Sequence, residues 1–342
     1  KSCRNIRNSL EFRGTEATIS IHAPTPQAVS SMATTNYVCK LSRDQAEQLH
    51  SILQGENWEL DEAPYALWRA RKEKTTAVAY ESGKFCIQGK GTEEFVQFIL
   101  EPRILKEVRM GYESVVAREE SPQMFEPHIG IDESGKGDYF GPLVIAAVYV
   151  DGDCAATLLE EGVQDSKMIK SDKKIGMLAG KIRNIVKGRF AVVRIGPETY
   201  NRLYEKFANL NTMLGWGHAR ALEDVLEKTP DCPRAISDQF GRKSTVQNAL
   251  MKLGKQITLE QMPKAEADIA VAAASILARN VFVQQINKLG EGYETILPKG
   301  ASEKVSTVAA EIAKKHGFDE LGKVAKLHFK TTVAVRDKLV AE

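Results

Sequence analysis

Apolar and polar positions divide the chain into four stretches. Residues 1–35 lack apolar periodicity and carry proline, serine and threonine near residues 23–31, which predicts a disordered extension; Met32 is a candidate for the natural start. Residues 36–104 alternate short apolar segments with amphipathic ones, and residues 105–127 are polar and charged, as in a linker. Residues 128–342 contain longer apolar runs. The pattern predicts two domains joined by a linker.

The first patterned stretch predicts a small α+β domain. Ser42 stands where the first helix would begin, and serine is a favoured helix cap. The predicted strands are residues 37–41, 65–70, 75–81 and 84–88, and the predicted helices are residues 42–53 and 92–100.

The second stretch predicts an α/β domain, since strands and helices alternate along it. The predicted strands are residues 128–131, 143–150, 189–195, 234–237 and 256–261. The predicted helices are residues 171–186, 197–207, 212–226, 244–253, 270–288, 302–315 and 319–327.

Composition narrows the class of protein but does not identify it. The 342 residues are 43% hydrophobic, enough for a sizeable core, and 47 basic residues nearly balance 45 acidic ones. A net charge of +2 argues neither for nor against nucleic acid. Five scattered cysteines without a C-x-x-C pair favour a reducing, cytoplasmic location. No uninterrupted apolar run reaches the length of a membrane span, and no obligate protein partner is evident.

Two adjacent acids stand out in the run I-G-I-D-E-S-G-K-G-D-Y-F-G-P-L, which begins at Ile129. Asp132 and Glu133 follow a short apolar strand and precede a glycine-rich turn. Neighbouring residues of a regular strand point to opposite faces, so both acids can reach one point only if the strand twists or ends there. That arrangement suits a divalent cation beside a loop whose backbone can approach a polyanion or a sugar. The alternative is a solvated turn.

Further acids lie at later element ends. Asp238 ends an apolar strand, where an active-site acid and a loop cap are equally common, and Glu266 and Asp268 precede the helix predicted over residues 270–288. Acids at a helix N-terminus can simply complement its dipole. Clustered carboxylates repel one another unless cations neutralise them, and oxygen-only ligands suit Mg²⁺ or Mn²⁺. Two such ions can promote in-line hydrolysis of a phosphodiester.

The chain resembles type 2 ribonucleases H, and ribonuclease HIII most closely. The resemblance extends from about residue 36 to the C-terminus. It is carried by the run at Ile129 together with Asp165-Ser166-Lys167, Asn209 to His218, Ser237-Asp238-Gln239-Phe240 and Ala272 to Arg279, five motifs in the family's order.

The resemblance implies a ribonuclease H-like catalytic domain and an N-terminal domain similar to the TATA-box-binding protein fold, which would bind substrate. It implies cleavage of the RNA strand of RNA/DNA hybrids by two metal ions, leaving 3′-hydroxyl and 5′-phosphate ends. Asp132, Glu133, Asp238 and Glu266 would bind the metals. Asp268 stays open as the fourth acid, because Glu266 is one residue out of the expected spacing.

The resemblance also implies substrate contacts. Gly135, Lys136 and Gly137 would approach ribose 2′-hydroxyls and a phosphate, although glycines there also suit a tight turn. Lys167 would lie near the scissile phosphate, although the same residue suits a solvated loop. Ser275 is as well suited to helix packing as to nucleic-acid contact. His218 is better suited to the core, or to supporting a metal ligand, than to binding a metal itself.

Two other functions stay open. One is a ribonuclease HII-type enzyme acting on single embedded ribonucleotides, against which the N-terminal domain, Lys136 and Asp138 argue. The other is a non-catalytic hybrid-binding module, against which the complete set of acids argues.

Overall fold

The computed structural model describes residues 35–107 and 113–340, except the side chains of Glu113 and Lys243. The predicted extension, residues 1–35, lies outside this range apart from its last residue. The described chain forms two compact units. One contains residues 35–107, 113–127 and 150–164, and the other contains residues 128–149 and 165–340.

The N-terminal unit is built on an antiparallel sheet. Its strands are β1 (Asn36–Lys40), β2 (Glu59–Asp61), β3 (Ala66–Lys72), β4 (Thr75–Tyr80) and β5 (Lys84–Gly89), in the order β1-β5-β4-β3-β2. Helix α1 (Arg43–Gly55) joins β1 to β2, and Ser42 caps it in a reciprocal capping box with Gln45. Helix α2 (Thr92–Phe95) continues into a π-helical segment, Val96–Leu105, which contains Pro102.

The two faces of this sheet differ in burial. Trp68, Ala77 and Phe85 face a closed core shared with Leu49 and Leu53 of α1. On alternate positions the other face carries residues that are exposed or half-buried: Asn36, Val38, Lys40, Arg69, Thr76, Val78, Tyr80, Lys84, Cys86 and Gln88. This set is called the open face below.

The segment predicted as a linker contains ordered structure. Helix α3 (Glu113–Glu120) and a 3₁₀ turn (Pro122–Phe125) precede the second unit, and helix α4 (Gly152–Glu160) joins the same group. Ser114 Oγ donates to Glu160 at 3.0 Å, and the Arg118 guanidinium lies 4.2 Å from the Phe125 ring. These contacts give the polar stretch a packed partner that its sequence pattern does not reveal.

The second unit is built on a mixed sheet. Its strands are β6 (His128–Ser134), β7 (Leu143–Val150), β8 (Phe190–Ile195), β9 (Arg234–Asp238) and β10 (Thr258–Met262), in the order β10-β9-β6-β7-β8. Strands β10, β9 and β6 run parallel, and β7 and β8 are antiparallel. The carboxyl ends of three neighbouring strands therefore lie at one edge.

Helices cover this sheet. They are α5 (Asp172–Ile185), α6 (Pro197–Phe207), α7 (Leu210–Leu226), α8 (Lys243–Ala249), α9 (Ile269–Glu291), α10 (Glu303–His316), α11 (Leu321–Val324) and α12 (Lys330–Val340). Short 3₁₀ turns include Ser166–Met168 and Ala265–Ala267. Ile129 and Ile131 of β6 pack in a core with Met213 and Leu222 of α7.

Helix α9 packs on the opposite side of β6. A Cβ built on Gly130 would come 2.1 Å from backbone atoms of Ala270 and Val271, so only glycine permits this approach. By length and composition α9 could span a membrane, although 78% of its most apolar window is buried inside the protein. Burial of this kind is what a central core helix shows.

Candidate active site

Two predicted acids lie side by side where parallel strands end. The register pairs Gly130 with Ile236 and Ile131 with Ser237, so Asp132 and Asp238 follow at the same level of the sheet. Residues at one level of adjacent strands share a face. Strand β10 ends beside Asp238, at Met262, and Glu266 follows four residues later.

Asp132 and Glu133 point to opposite faces of β6, because the strand continues to Ser134. The sequence pattern predicted that this strand would end at Ile131, which is wrong, because β6 runs three residues further. Glu133 shares the side of Ile129 and Ile131, and its Oε2 lies 3.0 Å from Nε2 of His218 on α7. Asp132 shares the side of Gly130, and its carboxyl is hydrogen-bonded by Ser275 on α9.

Burial gives the two acids different electrostatics. Burial raises the pKa of Asp132 to about 7, and the neighbouring charge of Glu133 adds to the rise. Burial also opposes ionisation of Glu133, but contacts with His218 and Lys136 outweigh it and lower its pKa. The surroundings of the two acids therefore shift their pKa values in opposite directions.

Glu266 and Asp268 have different surroundings. Glu266 lies in the Ala265–Ala267 turn, and its Oε1 accepts from Nζ of Lys167 at 2.8 Å, which lowers the pKa of Glu266. Asp268 is the N-cap of α9 and accepts from the amides of Ala270 and Val271. Both its oxygens also lie 3.0 Å from Nε2 of the buried His128.

The glycine-rich loop contains one constrained glycine and one open glycine. Gly135 has φ +89°, and a Cβ there would come 2.2 Å from the Pro142 carbonyl. A Cβ on Gly137 would meet no atom within 4 Å. Between them, Nζ of Lys136 lies 3.3 Å from Oε1 of Glu133 and 5.1 Å from the centre of the Phe240 ring.

Ser275 connects two of the predicted segments. Its Oγ lies 2.8 Å from Oγ of Ser166, in the Ser166–Met168 turn that carries Lys167. Since Ser275 also bonds Asp132, the turn and the β6 acid share one buried hydroxyl. The Lys167 side chain is 72% exposed, so its ammonium reaches solvent while it contacts Glu266.

The predicted acids lie at the carboxyl edge of the second sheet or just after it, but their side chains do not converge on a single point. Within residues 35–107 and 113–340, no three histidine, cysteine or acidic side chains form a group that could hold a metal ion. Lys136 and Lys167 instead supply positive charge to Glu133 and Glu266. His218 was expected in the core or supporting a metal ligand, but neither its partner Glu133 nor the contact of Ser166 with Ser275 was predicted. His218 and Ser166 each lie in one of the five motifs that carry the family resemblance, and that is the signal that could have found these contacts.

Comparison with protein families gives two matches. A family model described as Ribonuclease HII matches residues 129–332, and one described as Domain of unknown function (DUF3378) matches residues 36–108.

Individual relatives match most of the chain. Ribonuclease HIII of Chlamydia pneumoniae is 45% identical over 297 residues, covering 86% of this chain and 96% of that protein. Ribonuclease HIII of Protochlamydia amoebophila is 39% identical, covering 89% and 97%. The crystal structure of Bst-RNase HIII in complex with Mn²⁺ aligns with a TM-score of 0.59 at 30% identity, covering 89% of this chain and 98% of that one.

Proposed function

The chain belongs to the ribonuclease HII family and is a ribonuclease H, and we propose that it hydrolyses its substrate with two metal ions. A ribonuclease H cleaves the RNA of RNA/DNA hybrids. Its α/β fold is that of ribonuclease HIII, as the sequence predicted. The products would carry 3′-hydroxyl and 5′-phosphate ends. The proposed metal-binding residues are Asp132, Glu133, Asp238 and Glu266.

The observation that carries this proposal is the parallel pairing of β6 with β9, which aligns Ile131 with Ser237, the residues directly before Asp132 and Asp238. It supports a position for Asp132 and Asp238 at one level and on one face of the carboxyl edge of the sheet, with Glu133, the next residue of β6, on the other face. Edges where parallel strands end are where α/β proteins bind ligands. Three of the four proposed acids, Asp132, Glu133 and Asp238, thus belong to the carboxyl ends of two neighbouring parallel strands.

The donor set fits Mg²⁺ or Mn²⁺, since it consists of carboxylate oxygens and contains no thiolate. When bound, two such ions would supply water activation and stabilisation of the leaving oxygen. The Bst-RNase HIII structure is a complex with Mn²⁺. In this chain Ser275 and His218 orient Asp132 and Glu133 from the two sides of β6.

The lysines and the glycine loop are proposed to hold the substrate. Lys167 is exposed and lies beside Glu266, so its ammonium can bind a phosphate next to the acids. Lys136 can bind a second phosphate from the loop. The open backbone at Gly137 allows close approach of a ribose, whose 2′-hydroxyl distinguishes RNA from DNA.

The N-terminal unit is proposed to bind the hybrid duplex through its open face. Lys40 and Lys84 lie directly opposite each other on β1 and β5. Like charges in that position destabilise a sheet, and a bound phosphate would relieve the repulsion. Val38 and Cys86, the next pair of the same face, provide an apolar surface beside them. Similarity of this unit to the TATA-box-binding protein fold remains a prediction.

The contacts of Glu266 and Asp268, the two candidates for the fourth acid, support a choice between them. Asp268 is engaged by two α9 amides and by His128, whereas Glu266 contacts a solvent-exposed lysine. We therefore propose Glu266 as the fourth acid and Asp268 as a structural cap.

A cytoplasmic location without an obligate protein partner is part of the proposal. The described cysteines are free thiols, Cys39, Cys86, Cys154 and Cys232, as a reducing compartment favours.

One experiment tests the activity and its rivals. Cleavage is measured with Mg²⁺ or Mn²⁺ on a continuous RNA/DNA hybrid, on a duplex with one embedded ribonucleotide, and on DNA of the same sequence. Strong preference for the continuous hybrid supports the proposal, and preference for the single ribonucleotide favours the ribonuclease HII-type alternative.

Asp132→Asn should abolish cleavage while hybrid binding persists, and Asp231→Asn, at an exposed position, should behave as wild type. Cleavage by Asp132→Asn at the wild-type rate would refute the metal assignment.

A further inference from the structure

Lys326 is a buried lysine whose ammonium binds backbone carbonyls. Its side chain is 0% exposed, and Nζ donates to the carbonyls of Asp138 and Gly141 at 2.7 Å each and approaches that of Phe140 at 3.4 Å. Lysine is almost never fully buried without partners. Three acceptors match the three hydrogens of an ammonium group, so the charged form suits this pocket.

The carbonyls that Lys326 binds belong to the end of the loop of residues 135–141, called the ribose loop below. Lys326 N donates to the carbonyl of Tyr139 at 2.8 Å, and Gly141 N donates to that of Val324 at 2.9 Å. The backbone of the loop's end and the segment 324–326 therefore run side by side. Asp138 adds a further tie, because its carboxylate accepts from Gly300 N at 2.6 Å.

The segment that carries Lys326 is itself anchored to α6. Asn201 Nδ2 donates to the carbonyls of Gly322 and Ala325, and its Oδ1 accepts from Leu327 N at 2.9 Å. The loop is thus fixed at its start by β6 and at its end by a lysine on an anchored segment. Its middle, Lys136 and Gly137, lies between these two attachments.

We propose that Lys326 is a positioning residue that holds the ribose loop in the conformation that recognises RNA. This rests on the proposed function, in which the backbone at Gly137 approaches the 2′-hydroxyl. Loss of the ammonium would release three carbonyls at the loop's end and let its backbone move. The ribose-dependent part of binding would weaken, and the phosphate contacts that any duplex makes would remain.

The cost of burying this charge supports a positioning role. Burial lowers the pKa of Lys326 to about 7, which Asp138 partly offsets. An apolar side chain of similar size would avoid that cost. Only a donor group, however, can fix the carbonyls of the loop at defined positions.

The test uses Lys326→Met in the full chain, with Lys323→Met as the matched control. Lys323 lies three residues away, is 56% exposed and pairs with Glu320. Dissociation constants are measured for an RNA/DNA hybrid and for DNA duplex of the same sequence, without divalent cations. Lys326→Met should weaken hybrid binding about tenfold, as expected for a lost hydrogen bond to a charged group. DNA binding, and both affinities of Lys323→Met, should stay within about twofold of wild type.

A second variant and a second readout keep the proposal open to refutation. Lys326→Gln retains donors and should recover part of the preference for hybrid. Amide hydrogen exchange at Tyr139 and Gly141 should accelerate in Lys326→Met, while that of β7 should not. An unchanged ratio of hybrid to DNA affinity, unchanged exchange, or failure of both variants to fold would overturn the proposal and leave Lys326 a stability residue. A wild type that does not distinguish hybrid from DNA would instead contradict the proposed function.

Discussion

Nε2 of His218 lies 3.0 Å from Oε2 of Glu133, although 85 residues separate the two in sequence. The imidazole is fully buried, and its ring centre is 4.7 Å from that of Phe240. Nδ1 is buried with no hydrogen-bond partner among the described residues, so the polar contact of the ring shown by the structure is with Glu133. Since Lys136 binds the other oxygen of Glu133, His218 fixes the direction of this carboxylate.

Replacing His218 should lower the cleavage rate more than substrate affinity. His218→Gln loses the aromatic ring and its fixed hydrogen bond, and partners of this kind typically contribute about 10–100-fold in activity or metal affinity. Single-turnover cleavage measures the rate, and calorimetry with Mn²⁺ measures metal binding without substrate. His316→Gln, at the exposed end of α10, is the control. Wild-type rate and Mn²⁺ affinity in His218→Gln would reduce His218 to a packing residue.

Glu266 and Asp268 should separate activity from stability. Glu266→Gln should lose cleavage with little change in the free energy of unfolding, because its contact is with the exposed Lys167. Asp268→Ala should lower that free energy by about 0.5–2 kcal/mol, the usual cost of losing a helix cap, and more where the His128 contact contributes. Asp268→Asn keeps a capping oxygen and serves as the control.

Denaturant unfolding and cleavage of the same preparations decide between the two acids. A dead but stable Asp268→Asn, together with an active Glu266→Gln, would reverse the assignment.

The apolar pattern predicts the helices and strands of this chain well where an element is long enough to show its own periodicity. The helix after Ser42, the strand at Leu143 and the strand ending at Asp238 are confirmed within one or two residues. Strand β2 was missed because three residues give no periodicity, and α12 was missed because the β-branched residues at its start, residues 331–333 and 335, have low helix propensity. The helix expected over residues 92–100 continues past Pro102 as a π-helix, whose wider turns accommodate a residue without an N–H.

The site was predictable in its residue types and less so in its contacts. The sequence identified Asp132 and Glu133 as a pair, but their opposite directions depend on β6 continuing to Ser134. The contact between His128 and Asp268 joins residues 140 positions apart. Tertiary packing alone determines such pairs, so no local spacing can reveal them.

The approach of α9 to β6 predicts a strong stability effect at Gly130. A Cβ there would overlap backbone atoms of Ala270 and Val271, which cannot move as a flexible side chain could. Gly130→Ala should lower the free energy of unfolding by about 1–3 kcal/mol, as overpacking does, or more if β6 shifts. Gly180→Ala, inside α5 with no atom within 4 Å of the added Cβ, should stabilise by roughly 0.5–1 kcal/mol. Equal denaturation midpoints for both variants would contradict the packing described for β6.

Removing a lysine from the open face of the N-terminal unit should weaken hybrid binding in a salt-dependent way without lowering the cleavage rate. Lys40→Ala and Lys84→Ala should each weaken hybrid binding and reduce the slope of log affinity against log salt by about one, since each removes a phosphate contact. Cleavage at saturating hybrid should change little, because the proposed acids lie in the other unit. Arg43→Ala is the matched control: Arg43 is 78% exposed and lies on α1, which packs on the closed face of the sheet. Binding is measured by fluorescence anisotropy over a range of salt concentrations. If all three variants shift affinity and slope alike, the effect is one of net charge. If none does, the N-terminal unit has a role other than gripping the duplex.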